Sequence, residues 1–137
     1  MSIAYLDSSA LVKLMVRENE TSALEADLAG RDGLVTSSLA MVECQRAAGR
    51  AGNRRVLQRV SDILEAVYLL DVTTPVLEQA ANLRPAPVRS LDAIHIATAV
   101  SIGEADLDLI TYDDRMGEAA RANGLRVAQP GRLTSER

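Results

Sequence analysis

Four carboxylates, Asp7, Glu43, Asp92 and Asp113, stand where the surrounding residues leave little room for a solvated acid. Asp7 closes the apolar run from Ile3 to Leu6, and Asp113 comes shortly after Leu109 and Ile110. Asp92 opens a segment with almost no polar face, and Glu43 lies in the apolar turn Leu39-Ala40-Met41-Val42. Taken singly, each has an ordinary explanation. Asp7 could cap a helix, Glu43 could be an exposed helix position, Asp92 could answer the helix dipole, and Asp113 could make an Asx turn. Taken together they are harder to dismiss, because charges this close to a core need pairing or coordination. No lysine or arginine is obviously placed to neutralise all four. An oxygen-only donor set, with no Cys/His cluster beside it, suits a hard cation such as Mg²⁺ or Mn²⁺.

The elements that must position these groups are read from periodicity. Ile3–Leu6 is a short buried strand, and Ser8 or Ser9 can cap a helix carrying Leu11, Val12, Leu14 and Met15. A second helix spans Thr21–Leu28, with a turn at Gly30 and Gly33 and a strand at Leu34–Val35. Thr36-Ser37-Ser38 forms a capping cluster before a helix over Leu39–Arg50, which the stretch from Gly49 to Asn53 breaks. From Arg54 to Tyr68, Val56, Leu57, Val60, Ile63, Leu64 and Val67 recur at amphipathic-helix spacing. A strand at Leu69–Val72 and a helix over Thr74–Asn82 follow, and Pro85 and Pro87 enforce a loop. Ser90–Ile102 is a helix apolar enough to be central. Leu109–Thr111 is a strand, Asp114–Asn123 a helix stopped by Gly124, and Arg126–Ala128 an edge strand. Short strands alternating with helices imply an α/β fold, a parallel sheet with helices on both faces. Ligands in such sheets bind at the carboxyl ends of the strands, where Asp7 and Asp113 fall.

At 137 residues the chain has the size of one domain, 1–137, and its 47% apolar content suffices for a core without disulfides. Phe and Trp are absent, so the core must be aliphatic, and only Tyr5, Tyr68 and Tyr112 could offer a stacking platform to a base. The single Cys44 has no disulfide partner, which fits a reducing compartment. No leader segment and no apolar stretch of about 20 residues is present, so a cytoplasmic, membrane-free protein is expected. The net charge of −4 argues at first against a nucleic-acid partner. Without the four named carboxylates the remainder is neutral. Cations held there would make RNA binding metal-dependent rather than impossible.

The stretch from Tyr5 to Leu14, Tyr-Leu-Asp-Ser-Ser-Ala-Leu-Val-Lys-Leu, resembles the first motif of VapC-type PIN-domain ribonucleases. Ser38-Leu39-Ala40-Met41-Val42-Glu43 is similar to the second. Leu91-Asp92-Ala93-Ile94-His95-Ile96-Ala97-Thr98-Ala99 looks like the third, and Leu109-Ile110-Thr111-Tyr112-Asp113-Asp114-Arg115-Met116 like the fourth. The motifs keep their order over almost the whole chain, while the segment from Ala47 to Pro87 carries none. The resemblance implies a PIN-domain fold and a Mg²⁺- or Mn²⁺-dependent endoribonuclease, the toxin of a type II toxin–antitoxin pair. It also implies a cognate VapB-type antitoxin, an RNA substrate and a homodimer. It assigns Asp7, Glu43, Asp92 and Asp113 to catalysis and metal binding, with Ser9 and Thr111 as supporting hydroxyls. Attack on the RNA phosphodiester by water, rather than by the ribose 2′-OH, predicts 5′-phosphate and 3′-OH products.

Asp113 is favoured over its neighbour Asp114, which could instead cap the next helix. His95, three residues after Asp92, reads as a packed, hydrogen-bonded core residue rather than a general base, and Cys44 as a small buried hydrophobe. Arg46, Arg50, Arg54 and Arg115 are candidate RNA contacts, with Arg55 and Arg59 beside them. Such contacts hold phosphate without reading sequence. A salt-bridged surface is the competing explanation for these arginines. A receiver domain would want paired acids after the first strand and a late lysine, and here serines follow Asp7. A catalytically silent PIN-type RNA- or protein-binding module remains the alternative, opposed by the filled acidic positions.

Overall fold

The computed structural model describes residues 1–132. Its elements run β1 (Ile3–Leu6), α1 (Ser8–Met15), α2 (Thr21–Ala29), β2 (Gly33–Ser37), α3 (Leu39–Ala51), α4 (Arg54–Ala66), β3 (Tyr68–Leu70), α5 (Thr74–Ala81), α6 (Ser90–Ile102), β4 (Leu107–Ile110), α7 (Asp114–Ala122) and β5 (Arg126–Ala128). The strands form one five-stranded sheet in the order β3-β2-β1-β4-β5, and every pairing is parallel. The chain builds outward from β1 to β3 in one direction and then crosses over to β4 and β5. The order therefore reverses between β1 and β4, the place where α/β sheets open a crevice for ligands.

Alternation along the two central strands divides the core into two faces. Ala4 and Leu6 of β1, with Ile110 of β4, pack against Leu11 and Met15 of α1, Leu24 of α2, Ala40, Cys44 and Ala48 of α3 and Val60 of α4. Tyr5, Leu107 and Leu109 point the other way, onto Ile96 and Ala99 of α6 and Met116 and Ala120 of α7. Apart from Tyr5 and Tyr112 the core is aliphatic, as the missing Phe and Trp require. Alanines at the buried positions of α3 let that helix pack closely on α1 and α4.

Several boundaries differ from the sequence reading for local reasons. Asp7, rather than Ser8 or Ser9, caps α1, its Oδ1 accepting from the Ala10 N–H at 3.0 Å. Thr36 and Ser37 belong to β2, where the Thr36 hydroxyl donates to the Leu6 carbonyl at 2.6 Å. Gly49 stays inside α3, and the chain turns at Gly52, whose φ of 63° is open to glycine at little cost. Asn53 then caps α4. Pairing with β2 draws Tyr68 out of the helix pattern and into β3. β4 begins at Leu107 and ends at Ile110, which leaves Thr111 just beyond the sheet.

Candidate active site

The four carboxylates gather at the carboxyl edge of the sheet by four different routes. Asp7 follows β1 directly, and its N–H donates to the Ile110 carbonyl of the neighbouring strand at 3.2 Å. Asp113 follows β4 and caps α7, its Oδ1 accepting from the N–H groups of Arg115 and Met116. This settles the cap of α7 on Asp113, with Asp114 in the first turn behind it. Glu43 comes from the first turns of α3, the helix that leaves β2. Asp92 sits in the first turn of α6, whose N-terminus returns to this edge because crossover helices run against their strands.

Asp7 is the most buried of the four, at 4% exposure. Its Oδ1 accepts from the Ser9 hydroxyl at 2.7 Å as well as from Ala10 N–H. Burial pushes its carboxyl above the ordinary value of 3.8, and the hydroxyls of Thr111 and Ser9 act against that rise. No lysine or arginine pairs with it among the described residues. Ser9 and Thr111 tie the two strand ends together. Their hydroxyls lie 3.3 Å apart, Ser9 Oγ accepts from Tyr112 N–H at 2.9 Å, and Thr111 Oγ1 accepts from Asp113 N–H at 3.1 Å.

Glu43 is held from beneath. His95 is 1% exposed, with its Nε2 2.8 Å from Glu43 Oε1 and its Nδ1 2.7 Å from the Tyr5 hydroxyl. The carboxylate can only accept, so Nε2–H donates to Glu43; in the neutral ring Nδ1 then accepts from the Tyr5 hydroxyl. Burial drives the Tyr5 hydroxyl well above its usual range, which keeps it a donor. His95 thus has the packed, hydrogen-bonded role expected of it, with both ring nitrogens engaged. Tyr5 was a candidate for base stacking and is not available for it, nor is Tyr112, since both are buried; Tyr68 is exposed. Cys44 is buried beside Glu43, and burial raises its thiol to about 12, so it packs rather than reacts.

Arg89 is the site residue that the sequence reading missed. Its Nη2 lies 3.2 Å from Asp92 Oδ2 and 3.1 Å from Asp113 Oδ2, bridging the two outer carboxylates. The signal was present, because an arginine three residues before an aspartate at a helix start is a pairing spacing. Among the described residues Arg89 reaches two of the four carboxylates, Asp92 and Asp113. Its side chain is 69% exposed, so the bridge is a surface contact that water and other ligands can replace.

Among the described residues no three acidic, histidine or cysteine side chains converge closely enough, as they stand, to hold a metal ion. The donor chemistry nevertheless fits a hard cation. The groups are carboxylates and hydroxyls, Asp7 is a buried acid without a lysine or arginine partner among the described residues, and a guanidinium already lies between Asp92 and Asp113. Of the candidate RNA contacts, Arg46, Arg50, Arg54 and Arg115 are exposed and make no side-chain ion pair among the described residues, as is Arg55. Arg59 is engaged by the Leu14 carbonyl at 2.8 Å and by Glu25.

The PIN domain sequence profile matches residues 4–122. Ribonuclease VapC46 of Mycobacterium tuberculosis is 43% identical over 136 residues, covering 95% of this chain and 99% of the relative. Ribonuclease VapC47 of the same species is 37% identical over 131 residues, covering 93% and 96%. A crystal structure from the VapBC family of toxin-antitoxin systems, VapBC-5 of Mycobacterium tuberculosis, superimposes with a TM-score of 0.67 at 18% identity over 94% of this chain and 99% of that one. The chain belongs to the PIN domain family, among the VapC relatives.

Proposed function

We propose that this protein is a divalent-metal-dependent endoribonuclease that acts as the toxin of a toxin–antitoxin pair. The observation that carries the reading is Asp7, a buried carboxylate with no lysine or arginine partner among the described residues, at the crevice where the strand order reverses. The ribonuclease names of relatives that align over nearly their whole length support it. Asp7, Glu43, Asp92 and Asp113 would hold Mg²⁺ or Mn²⁺. When bound, such an ion acidifies water and polarises a phosphoryl oxygen, the two requirements of phosphodiester hydrolysis.

The protein's own groups supply the positioning. Ser9 and Thr111 fix Asp7 and the backbone of Asp113, and His95 fixes the orientation of Glu43. Arg46 and Arg50 follow Glu43 along α3 at i+3 and i+7, on the same side of the helix. With Arg54 and Arg115 they would hold the RNA backbone at either side of the cut. A VapB-type antitoxin would restrain the toxin, as the VapBC complexes of the same fold suggest. A single-domain homodimer in the cytoplasm completes the reading; among the described residues no helix is long and apolar enough to cross a membrane.

One observation favours a catalytically silent binding module instead. Arg89 neutralises two of the four carboxylates, which would stabilise a site that never takes a cation. Antitoxin-free protein incubated with total RNA in Mg²⁺ or Mn²⁺, beside EDTA and Asp7→Asn controls, separates the two. The nuclease predicts discrete cuts with 5′-phosphate ends, abolished by EDTA and reduced about 100-fold or more in the variant. Asparagine caps a helix as well as aspartate, so the variant should still fold. Intact RNA with folded, metal-bound wild type would leave the binding module as the answer.

A further inference from the structure

A pocket of about 500 Å³ opens beside the acidic site, between the start of α6 and the exposed face of α7. That is a small-molecule volume, within the roughly 300–1,000 Å³ usual for such sites. Arg89 and Asp92 form its edge on the acidic side, so it is continuous with the carboxylates. Pro87, Val88 and Ala119 give it an apolar wall, and Arg115 and Glu118 supply the polar groups of the α7 side.

Arg115 and Glu118 stand at i and i+3 with the base N-terminal to the acid, the weaker order for a helix ion pair. They do not pair here, and neither side chain has another ion pair or hydrogen bond among the described residues. Both border the pocket instead. The cation lies two residues from Asp113, toward the acidic site. The carboxylate lies roughly 7 Å farther along the helix axis than Asp113. A ligand that matches this order is anionic at the acidic end, flat and apolar across the middle, and a hydrogen-bond donor at the far end. One nucleotide of single-stranded RNA has that order.

We propose that this pocket seats one guanine base of the RNA next to the scissile phosphate. This rests on the ribonuclease reading above and adds a specificity site to it. Guanine carries two adjacent N–H donors, N1 and N2, on its Watson–Crick edge, and the two oxygens of Glu118 accept both in parallel. Adenine and cytosine offer a single amino group there, and uracil a single imide N–H. The apolar wall covers the base plane without an aromatic ring, in keeping with a chain that lacks Phe and Trp. Arg115 stacks on the base or holds its phosphate, as guanidinium groups do in single-strand recognition.

Two measurements test this. In the first, GMP, AMP, CMP and UMP are titrated in EDTA into isotope-labelled full-length protein while backbone amide shifts are followed. GMP is expected to move Val88, Glu118 and Ala119 and to bind about tenfold tighter than the others, the low end for a bidentate base contact. Glu118→Gln should remove that preference, because an amide offers one acceptor in place of two. Equal binding of all four nucleotides, shifts away from the pocket, or a preference that survives Glu118→Gln would overturn the proposal. In the second, a randomised RNA is cleaved in Mn²⁺. Wild type should require G at one fixed position beside the cut, and Glu118→Gln should relax that position alone. An unchanged requirement in the variant overturns the guanine site. Absence of any cleavage counts against the ribonuclease reading, and the metal-free titration still decides the pocket.

Discussion

Asp7 and Glu43 are held from inside the protein by groups with no freedom to leave, whereas Asp92 and Asp113 are bridged by an arginine that is mostly in water. On the inner side, Ser9 and the Ala10 N–H grip Asp7, and the buried chain Tyr5–His95–Glu43 orients the second acid. On the outer side, the Asp92 and Asp113 side chains are 22% and 33% exposed and meet at Arg89. The inner pair is preorganised whatever is bound. The outer pair shares an exchangeable cation through Asp92 Oδ2 and Asp113 Oδ2, while Asp113 Oδ1 stays fixed as the cap of α7. A site built this way can accept a ligand by moving one surface side chain, with the core unchanged.

The largest expected effect in breaking this contrast falls on the inner side. His95→Ala removes the hydrogen bond between the Tyr5 hydroxyl and His95 and opens a cavity, and it should destabilise the protein by about 2–3 kcal/mol in urea unfolding. A loss below about 0.5 kcal/mol would show that the Tyr5–His95–Glu43 chain does not hold the inner side.

A smaller effect, and of opposite sign, is expected at Asp7 without metal. Burial raises its carboxyl in the folded state, so between the ordinary value of 3.8 and the raised one the folded protein binds more protons than the unfolded chain. Stability then falls as pH rises through that window and stays reduced above it. In EDTA at pH 7, Asp7→Asn should therefore melt a few degrees above wild type, with the gap closing as pH falls below the ordinary value. Added Mn²⁺ should raise the melting temperature of wild type far more than that of the variant. A gap independent of pH would mean that the Asp7 charge carries no strain.

The smallest stability effect belongs to the outer side. Arg89→Gln should change stability by less than about 0.5 kcal/mol, since exposed ion pairs contribute little. The same variant should bind Mn²⁺ up to about tenfold more tightly by calorimetry, because two such pairs no longer compete with the ion. Weaker Mn²⁺ binding would show that Arg89 assists the acidic site rather than occupying it.

Much of this was legible along the chain because it depends on local periodicity. Each of the helices and strands was anticipated within a few residues, since alternation and 3.6-residue spacing are written in consecutive side chains. The placement of Asp7 and Asp113 at strand ends followed from the same pattern. The errors fell where two local solutions compete. Asp7 and Ser9 could each cap α1, and tertiary contact with Thr111 and Tyr112 gave the serine another task. Tyr68 suits a helix end or a strand start, and pairing with Val35 of β2 chose the strand.

What the linear order could not supply is which distant groups meet. His95 and Glu43 are 52 positions apart, and Arg89 and Asp113 are 24 apart. No spacing rule spans such separations, because the fold of the intervening chain sets the distance. The crossover that lays β4 beside β1 brings Asp7 to Thr111, and the return of α6 brings Arg89 and Asp92 to Asp113. Residue type and periodicity therefore named the acids and the strands that carry them. Sheet order and helix packing decided their partners, and with them which carboxylates are held only from inside and which share an exchangeable arginine.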